Sequence, residues 1–204
     1  MKLNEFAKGV HQNAVEHGWW EDQRTFGEIV SLCHSELSEA LEEFRAKRPM
    51  VYCNPGMKLN KDCMDHGCVG IACWEGKANG SKPEGIAVEL ADCIIRILDW
   101  LGEEEMDPDA LLAEAKRYMM CDVPVPLYAA SIGDHIARWH LLLSLAYSCW
   151  CRASGTYAAA LRMALCIYEI LNWAEDNGVD MEAILAQKHE YNRTRPYRHG
   201  GKAL

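Results

Sequence analysis

Four charged side chains interrupt an otherwise apolar segment at residues 85–101, GIAVELADCIIRILDWL. They are Glu89, Asp92, Arg96 and Asp99, and their spacing places them in one narrow stripe along an α-helix. A helix this apolar is normally buried, and a buried carboxylate is costly unless it is paired or bound to a metal. The stripe therefore predicts a charged functional site beside the core.

A second acidic pair, Glu36 and Glu39, lies upstream in SLCHSELSEALEEF. Glu36 is one helical turn from Leu32 and close to Leu37, so it falls on the apolar side of its own helix. A solvated stripe is the ordinary interpretation of either acidic pair alone. Two such pairs among apolar neighbours favour a shared site for a hard cation with oxygen ligands.

Three segments of the chain share a resemblance to one family. They are GWWEDQRTFGEIVSLCHSELSEALEEFR, KPEGIAVELADCIIRILDW and YNRTRPYRHGGK, in that order. Glu36-x-x-Glu39 followed by Glu89-x-x-Asp92 resembles the metal signature of the MazG-like all-α nucleoside triphosphate pyrophosphohydrolases, which are related to dimeric dUTPases. The similarity covers about residues 2–48, 82–118 and 170–203.

The resemblance implies hydrolysis of a nucleoside triphosphate to the monophosphate and pyrophosphate. It implies that Mg²⁺, or Mn²⁺ as a substitute, is held by four catalytic carboxylates, namely Glu36, Glu39, Glu89 and Asp92. It also places Trp19 and Trp20 near the nucleotide base, where the alternative is that both are core anchors. The candidates for phosphate contacts are Arg96, Lys188, Tyr191, Asn192 and Arg195; a structural ion pair for Arg96 and a solvated C-terminal tail are the alternatives.

Composition limits the partners of this 204-residue chain. Its formal net charge of −9 disfavours broad nucleic-acid binding, and no apolar run is long enough to predict a membrane span. The segment MKLNEFAKGV shows no export signal. We therefore expect a cytoplasmic protein whose ten cysteines are reduced thiols.

The pattern of apolar residues predicts an all-α bundle of about seven helices. Residues 2–17 form the first helix, and a capping box at Thr25 and Glu28 opens the second, which runs to about Lys47. The acidic stripe lies in the third helix. A cap at Asp107 followed by a proline opens a fourth, to about Met120.

Residues 49–82 interrupt this helical pattern with a cysteine-rich insertion that has no sustained period. One interpretation is a flexible lid with free thiols that gates the acidic site. The alternative is a structural Zn²⁺, although the spacing of its candidate ligands is not a standard one. Those ligands are Cys63, His66, Cys68 and Cys73.

The second half of the chain repeats the first. The segment ILDWLGEEEMDPDALLAEAKRY at Ile97 recurs 73 residues later as ILNWAEDNGVDMEAILAQKHEY, and His34 matches His140 at a shift of 106. The repeat predicts a unit at residues 1–122 and a degenerate unit at 123–204 within one domain, a pseudo-dimer in one chain that leaves a homodimer open. The acidic pairs are replaced in the second unit by Leu142, Leu145, Arg162 and Leu165.

Two other functions compete with the pyrophosphohydrolase. A dinuclear carboxylate oxidase in a four-helix bundle needs Glu-x-x-His pairs, and the sequence contains none. A catalytically silent helical module that grips a nucleotide or a protein stays open, because the second unit has lost its acidic pairs. Metal-dependent release of pyrophosphate separates this module from the enzyme.

Overall fold

A computed structural model of the chain describes residues 2–22, 24–54, 82–121, 131–152 and 155–198. The fold is an all-α bundle, which confirms the predicted class. The described residues form seven helices, α1 (Leu3–Glu16), α2 (Phe26–Arg45), α3 (Ile86–Glu103), α4 (Pro108–Cys121), α5 (Ile132–Cys151), α6 (Gly155–Asp176) and α7 (Met181–Arg193). A two-stranded antiparallel ribbon, β1 (Tyr52–Asn54) and β2 (Lys82–Glu84), precedes α3.

The predicted capping box opens α2, since the Thr25 hydroxyl accepts from the Glu28 amide and the Glu28 carboxylate accepts from the Thr25 amide. The helix ends at Arg45, two residues before the predicted boundary. Lys47 has a left-handed φ of 54°, so the chain leaves the helical conformation before Pro49. A proline could not have continued the helix. The long central part of α2 that carries the acidic pair is therefore regular.

The ribbon of β1 and β2 was not predicted from the sequence. Tyr52 pairs with Glu84 in it, so the two ends of the insertion lie side by side where α3 begins. Gly85 is required at this junction, because its φ is 115° and a Cβ there would lie 2.6 Å from the Met50 carbonyl oxygen. The insertion between the strands, including the four candidate Zn²⁺ ligands, lies outside the described residues.

Helix α3 is the centre of the bundle and is buried on nearly every side. It packs against α1, α2, α6 and α7. One apolar cluster joins the side chains of both halves of the chain, from Leu3 to Leu185. An all-apolar helix is stable in this position because its neighbours remove every face from water.

The packing of α2, α3, α5 and α6 can be compared with the predicted repeat. Helix α2 packs on α3, and α5 packs on α6 in the same way. Ser131 and Asp134 form a capping box for α5 that matches the one at Thr25. The matched histidines meet where α2 crosses α5: His34 and His140 stack, with their Nδ1 atoms 2.6 Å apart. Equivalent residues of two units meet in this way when a two-fold axis relates the units.

The closing helices of the two units are exchanged. Helix α4 packs on α6, and α7 packs on α3. Their starts correspond, because Asp107 and Asp180 each accept a hydrogen bond from the amide three residues ahead. The exchange brings residues of the second unit, on α7, to the acidic stripe of the first.

None of the helices in the described segments combines the length and apolarity needed to cross a bilayer.

Candidate functional site

A cleft of about 300 Å³ opens along the acidic stripe of α3. Helices α1, α2 and α7, strand β2 and the segment between α1 and α2 supply its other walls. Nine of the eleven residues predicted for the site line this cleft, and only Trp20 and Tyr191 of that set do not. Those nine are Trp19, Glu36, Glu39, Glu89, Asp92, Arg96, Lys188, Asn192 and Arg195.

Three carboxylates converge at the floor of the cleft. Oxygen atoms of Glu36, Glu89 and Asp92 all lie within 4.8 Å of one another. Glu36 comes from the middle of α2, and the other two come from the first two turns of α3. Oxygens bound to one Mg²⁺ at about 2.1 Å lie roughly 3–4 Å apart, so the three residues fit a hard cation after a small closure.

Glu39 lines the same cleft but does not belong to this group of three. It is exposed, one turn beyond Glu36, and its Oε1 accepts a hydrogen bond from Ser35 at 3.1 Å. The structure therefore separates the four predicted acids into three on the floor and one at the rim.

Two cations are paired with the floor carboxylates. Lys188, only 2% exposed, places its Nζ 2.6 Å from Oδ2 of Asp92. The Nε of Arg96 donates to Oε1 of Glu36 at 2.5 Å. A buried ammonium is stable only beside an opposite charge, so the exchange of α7 onto α3 depends on the acidic stripe. Each of these two ion pairs contacts one oxygen of its carboxylate.

Burial and mutual repulsion shape the electrostatics of the floor. Burial, reinforced by the charge of Asp92, raises the pKa of Glu89 to about 8. Burial also raises the pKa of Glu36, although the guanidinium of Arg96 opposes the shift. Both shifts disfavour the charged form of these carboxylates, and a divalent ion beside them would favour that form.

The two tryptophans have different surroundings. Trp19 lines the cleft, with the guanidinium of Arg24 4.8 Å from its ring centroid. Trp20 packs against the core, and its Nε1 donates to Oδ1 of Asp99 at 2.8 Å. His11 lies 2.9 Å from the same oxygen. Asp99, the last member of the stripe, thus fixes Trp20 as an anchor, while Trp19 faces the space available to a ligand.

The predicted C-terminal site residues also differ in whether they line the cleft. Arg195 and Asn192 line the cleft beyond Lys188, and burial lowers the pKa of Arg195. Tyr191 lies behind this wall, where its ring centroid is 6.0 Å from the Nζ of Lys188. The Oδ1 of Asn192 is buried without a hydrogen-bond partner among the described residues. A buried unpaired polar atom is unfavourable, which marks this wall as one that a ligand would complete.

Sequence reasoning missed four polar residues of the cleft, namely Asn13, Arg24, Ser35 and Lys82. Asn13 lies on a helix that carried no predicted site residue. Lys82 reaches the cleft from β2, a strand that the sequence did not indicate. Arg24 immediately precedes the predicted cap at Thr25 and follows the two tryptophans, so its position offered a signal that could have been used.

Comparison of the chain with known protein families, with curated proteins and with solved structures finds no match in any of the three.

Proposed function

We propose that the chain is a Mg²⁺-dependent nucleotide pyrophosphohydrolase that cleaves a nucleoside triphosphate to the monophosphate and pyrophosphate. One observation carries this proposal: a single cleft holds three convergent carboxylates, a ring of cations and an exposed tryptophan face. A triphosphate nucleotide has the matching parts, because its oxygens need both metal and basic side chains and its base can stack.

Glu36, Glu89 and Asp92 would hold the ion, which supplies positive charge to the phosphate oxygens and to a nucleophilic water. Their oxygen-only donor set suits Mg²⁺, or Mn²⁺ as a substitute, rather than a softer metal. The separation of these three from Glu39 supports one ion at the floor. The attacking water would lose its proton to a carboxylate, and five carboxylates line the cleft.

The basic residues of the cleft would bind and orient the phosphates. Arg96 and Lys188 already neutralise the acidic floor, so an incoming anion meets a lower repulsion than four bare carboxylates would give. Arg195 from the C-terminal wall and Lys82 from β2 face the same space. A guanidinium fork suits phosphate oxygens, and positioning of this kind supplies much of the rate of phosphoryl-group reactions.

Trp19 would provide the stacking surface for the base. Its place at the wall of the cleft contrasts with Trp20, whose indole nitrogen is committed to Asp99. Arg24 over the Trp19 ring keeps the indole in position through a cation–π contact. This arrangement supports a nucleotide rather than inorganic triphosphate as the substrate.

The test measures pyrophosphate release from a panel of ribo- and deoxyribonucleoside triphosphates, with Mg²⁺ and with chelator. We expect release that requires the metal and disappears in Glu36→Gln. The matched control is Glu42→Gln, which removes an exposed carboxylate of the same helix and should leave the rate unchanged. If no substrate is cleaved but nucleotides bind, the silent binding module replaces the enzyme.

A further inference from the structure

The end of α1 is fastened to the C-terminal wall of the cleft by one histidine. His17 is the C-cap of α1. Its Nδ1 lies 2.7 Å from the Asn13 carbonyl oxygen, and its Nε2 lies 2.9 Å from the carbonyl oxygen of Arg195, 178 residues further along the chain. The ring therefore bridges the first helix and the segment that carries Arg195 into the cleft.

Both partners of the ring are carbonyl oxygens, which only accept hydrogen bonds. A neutral imidazole has one N–H and can satisfy one of them, whereas the imidazolium donates from both nitrogens. The ring of His17 thus lies between two acceptors, one at each nitrogen.

The neighbouring residues extend this connection. The Arg198 amide donates to the His17 carbonyl at 3.1 Å, and its Nε donates to the Gly18 carbonyl at 3.1 Å. Arg198 also pairs with Asp22, and the Tyr197 hydroxyl donates to Glu21. A Cβ at Gly18 would overlap the Tyr197 ring, so this glycine permits the contact.

We infer that His17 is a positioning residue that holds Arg195 in the wall of the cleft. The inference rests on the proposed function for its effect on substrate, but the fastening itself does not. Around the ring the charged groups are Arg195 and Arg198 on the C-terminal segment, with Glu21 and Asp22 on the turn after α1. The two arginines are directed to the cleft and to Asp22, so they leave the histidine contacts intact.

The effect should appear in substrate binding rather than in the chemical step. His17→Gln leaves at most a neutral donor at one nitrogen, and Arg195 loses its anchor. We expect KM for the preferred triphosphate to rise about tenfold with kcat within about twofold, as for a lost charged hydrogen bond. His17→Arg, with a charge and donors in two directions, should restore a KM near that of the wild type.

A second variant separates the loss of this contact from the loss of a histidine in general. His135→Gln is the matched control, because His135 is a half-buried histidine of α5 that does not line the cleft. An unchanged KM in His17→Gln, in a folded active protein, would overturn the inference.

Hydrogen exchange separates this inference from the proposed function. The Arg198 amide should exchange at least about tenfold faster in His17→Gln than in the wild type or His17→Arg. Faster exchange in a wild-type background without pyrophosphate release would leave the fastening standing and remove the enzyme. Equal exchange in all three proteins would remove the fastening whatever the activity.

Discussion

The two halves of this chain build the same helix pair and use it differently. In the first half Arg96 engages one oxygen of Glu36, and that pair lies beside two further carboxylates in an open cleft. In the second half the polarity is reversed, with Glu169 on α6 and Arg138 on α5. There the Nε of Arg138 lies 2.8 Å from both oxygens of Glu169.

In the second half the arginine contacts both oxygens of its carboxylate, whereas in the first half it contacts only one. Glu169 is 5% exposed and fully engaged by its arginine, and the positions equivalent to the acidic pairs are leucines or Arg162. Around Glu36 three convergent carboxylates are paired with two cations, Arg96 and Lys188. A pair of packed helices thus carries a buried ion pair in the second half and a group of partly paired carboxylates in the first.

The sharpest test of this contrast substitutes one charged residue on α3 and one on α6. Asp92→Asn should reduce pyrophosphate release by about 100-fold or more, because the floor loses a charged ligand that the reaction needs. Arg162→Gln, at the position equivalent to Glu89, should leave the rate within about twofold. The measurement is the steady-state rate with Mg²⁺, with circular dichroism to show that both variants are folded.

A comparable loss of rate in Arg162→Gln would show that the second half takes part in the chemistry.

The reverse asymmetry is expected in stability. Glu169→Gln should lower the free energy of unfolding by about 3 kcal/mol, because it leaves Arg138 beside the core without its counter-charge. Glu36→Gln should cost less, since the neutral amide relieves repulsion with Asp92 while Arg96 lies closer to the open cleft. Urea unfolding of both variants in chelator, at one pH, gives the comparison.

Equal losses in the two variants would contradict the division into a closed pair and an open one.

The pH dependence of the free energy of unfolding should reflect the carboxylates of the first half. The pKa of Glu89 is raised to about 8 in the folded protein from 4.5, so the folded state holds a proton that the unfolded state releases. Stability from this group is fully present below pH 4.5 and is lost as pH rises through 8. The full shift of this one group corresponds to a loss of about 3.5 kcal/mol between pH 5 and pH 8 without metal.

Glu89→Gln should flatten this part of the curve, which thermal or urea unfolding at several pH values would show. The histidine pair acts in the opposite direction. Burial lowers the pKa of both His34 and His140, so their contribution is lost as pH falls below the ordinary histidine range. A curve that stays equally steep in Glu89→Gln would mean that other groups set it.

Stabilisation of the fold by a divalent cation should be the smallest of these effects and the most specific. Mg²⁺ at ten times its dissociation constant should stabilise the wild type by about 1.4 kcal/mol. Asp92→Asn should lose this gain, while Arg162→Gln should keep it. Melting curves with Mg²⁺ and with chelator measure the difference, and they need no substrate.

Stabilisation by Mg²⁺ that survives in Asp92→Asn would place the ion elsewhere.

Much of the fold and of the cleft floor could be predicted from the sequence. The acidic stripe on a buried helix and the cap at Thr25 depend on local spacing, which is present in the sequence itself. The division between Trp19 and Trp20 could not be predicted, because neighbours in sequence differ only in what lies opposite them. The same applies to the rim position of Glu39, one turn from Glu36.

What the sequence alone determined is the set of helices, the repeat and the pairs of acids that one helical turn brings together. Only the tertiary structure decided that α7 crosses to α3 and delivers Lys188 to Asp92. The contact between Arg138 and Glu169 and the contact between His17 and the Arg195 carbonyl also depend on the tertiary structure. Periodicity acts over a few residues, whereas these contacts join distant segments whose meeting depends on how the apolar faces pack.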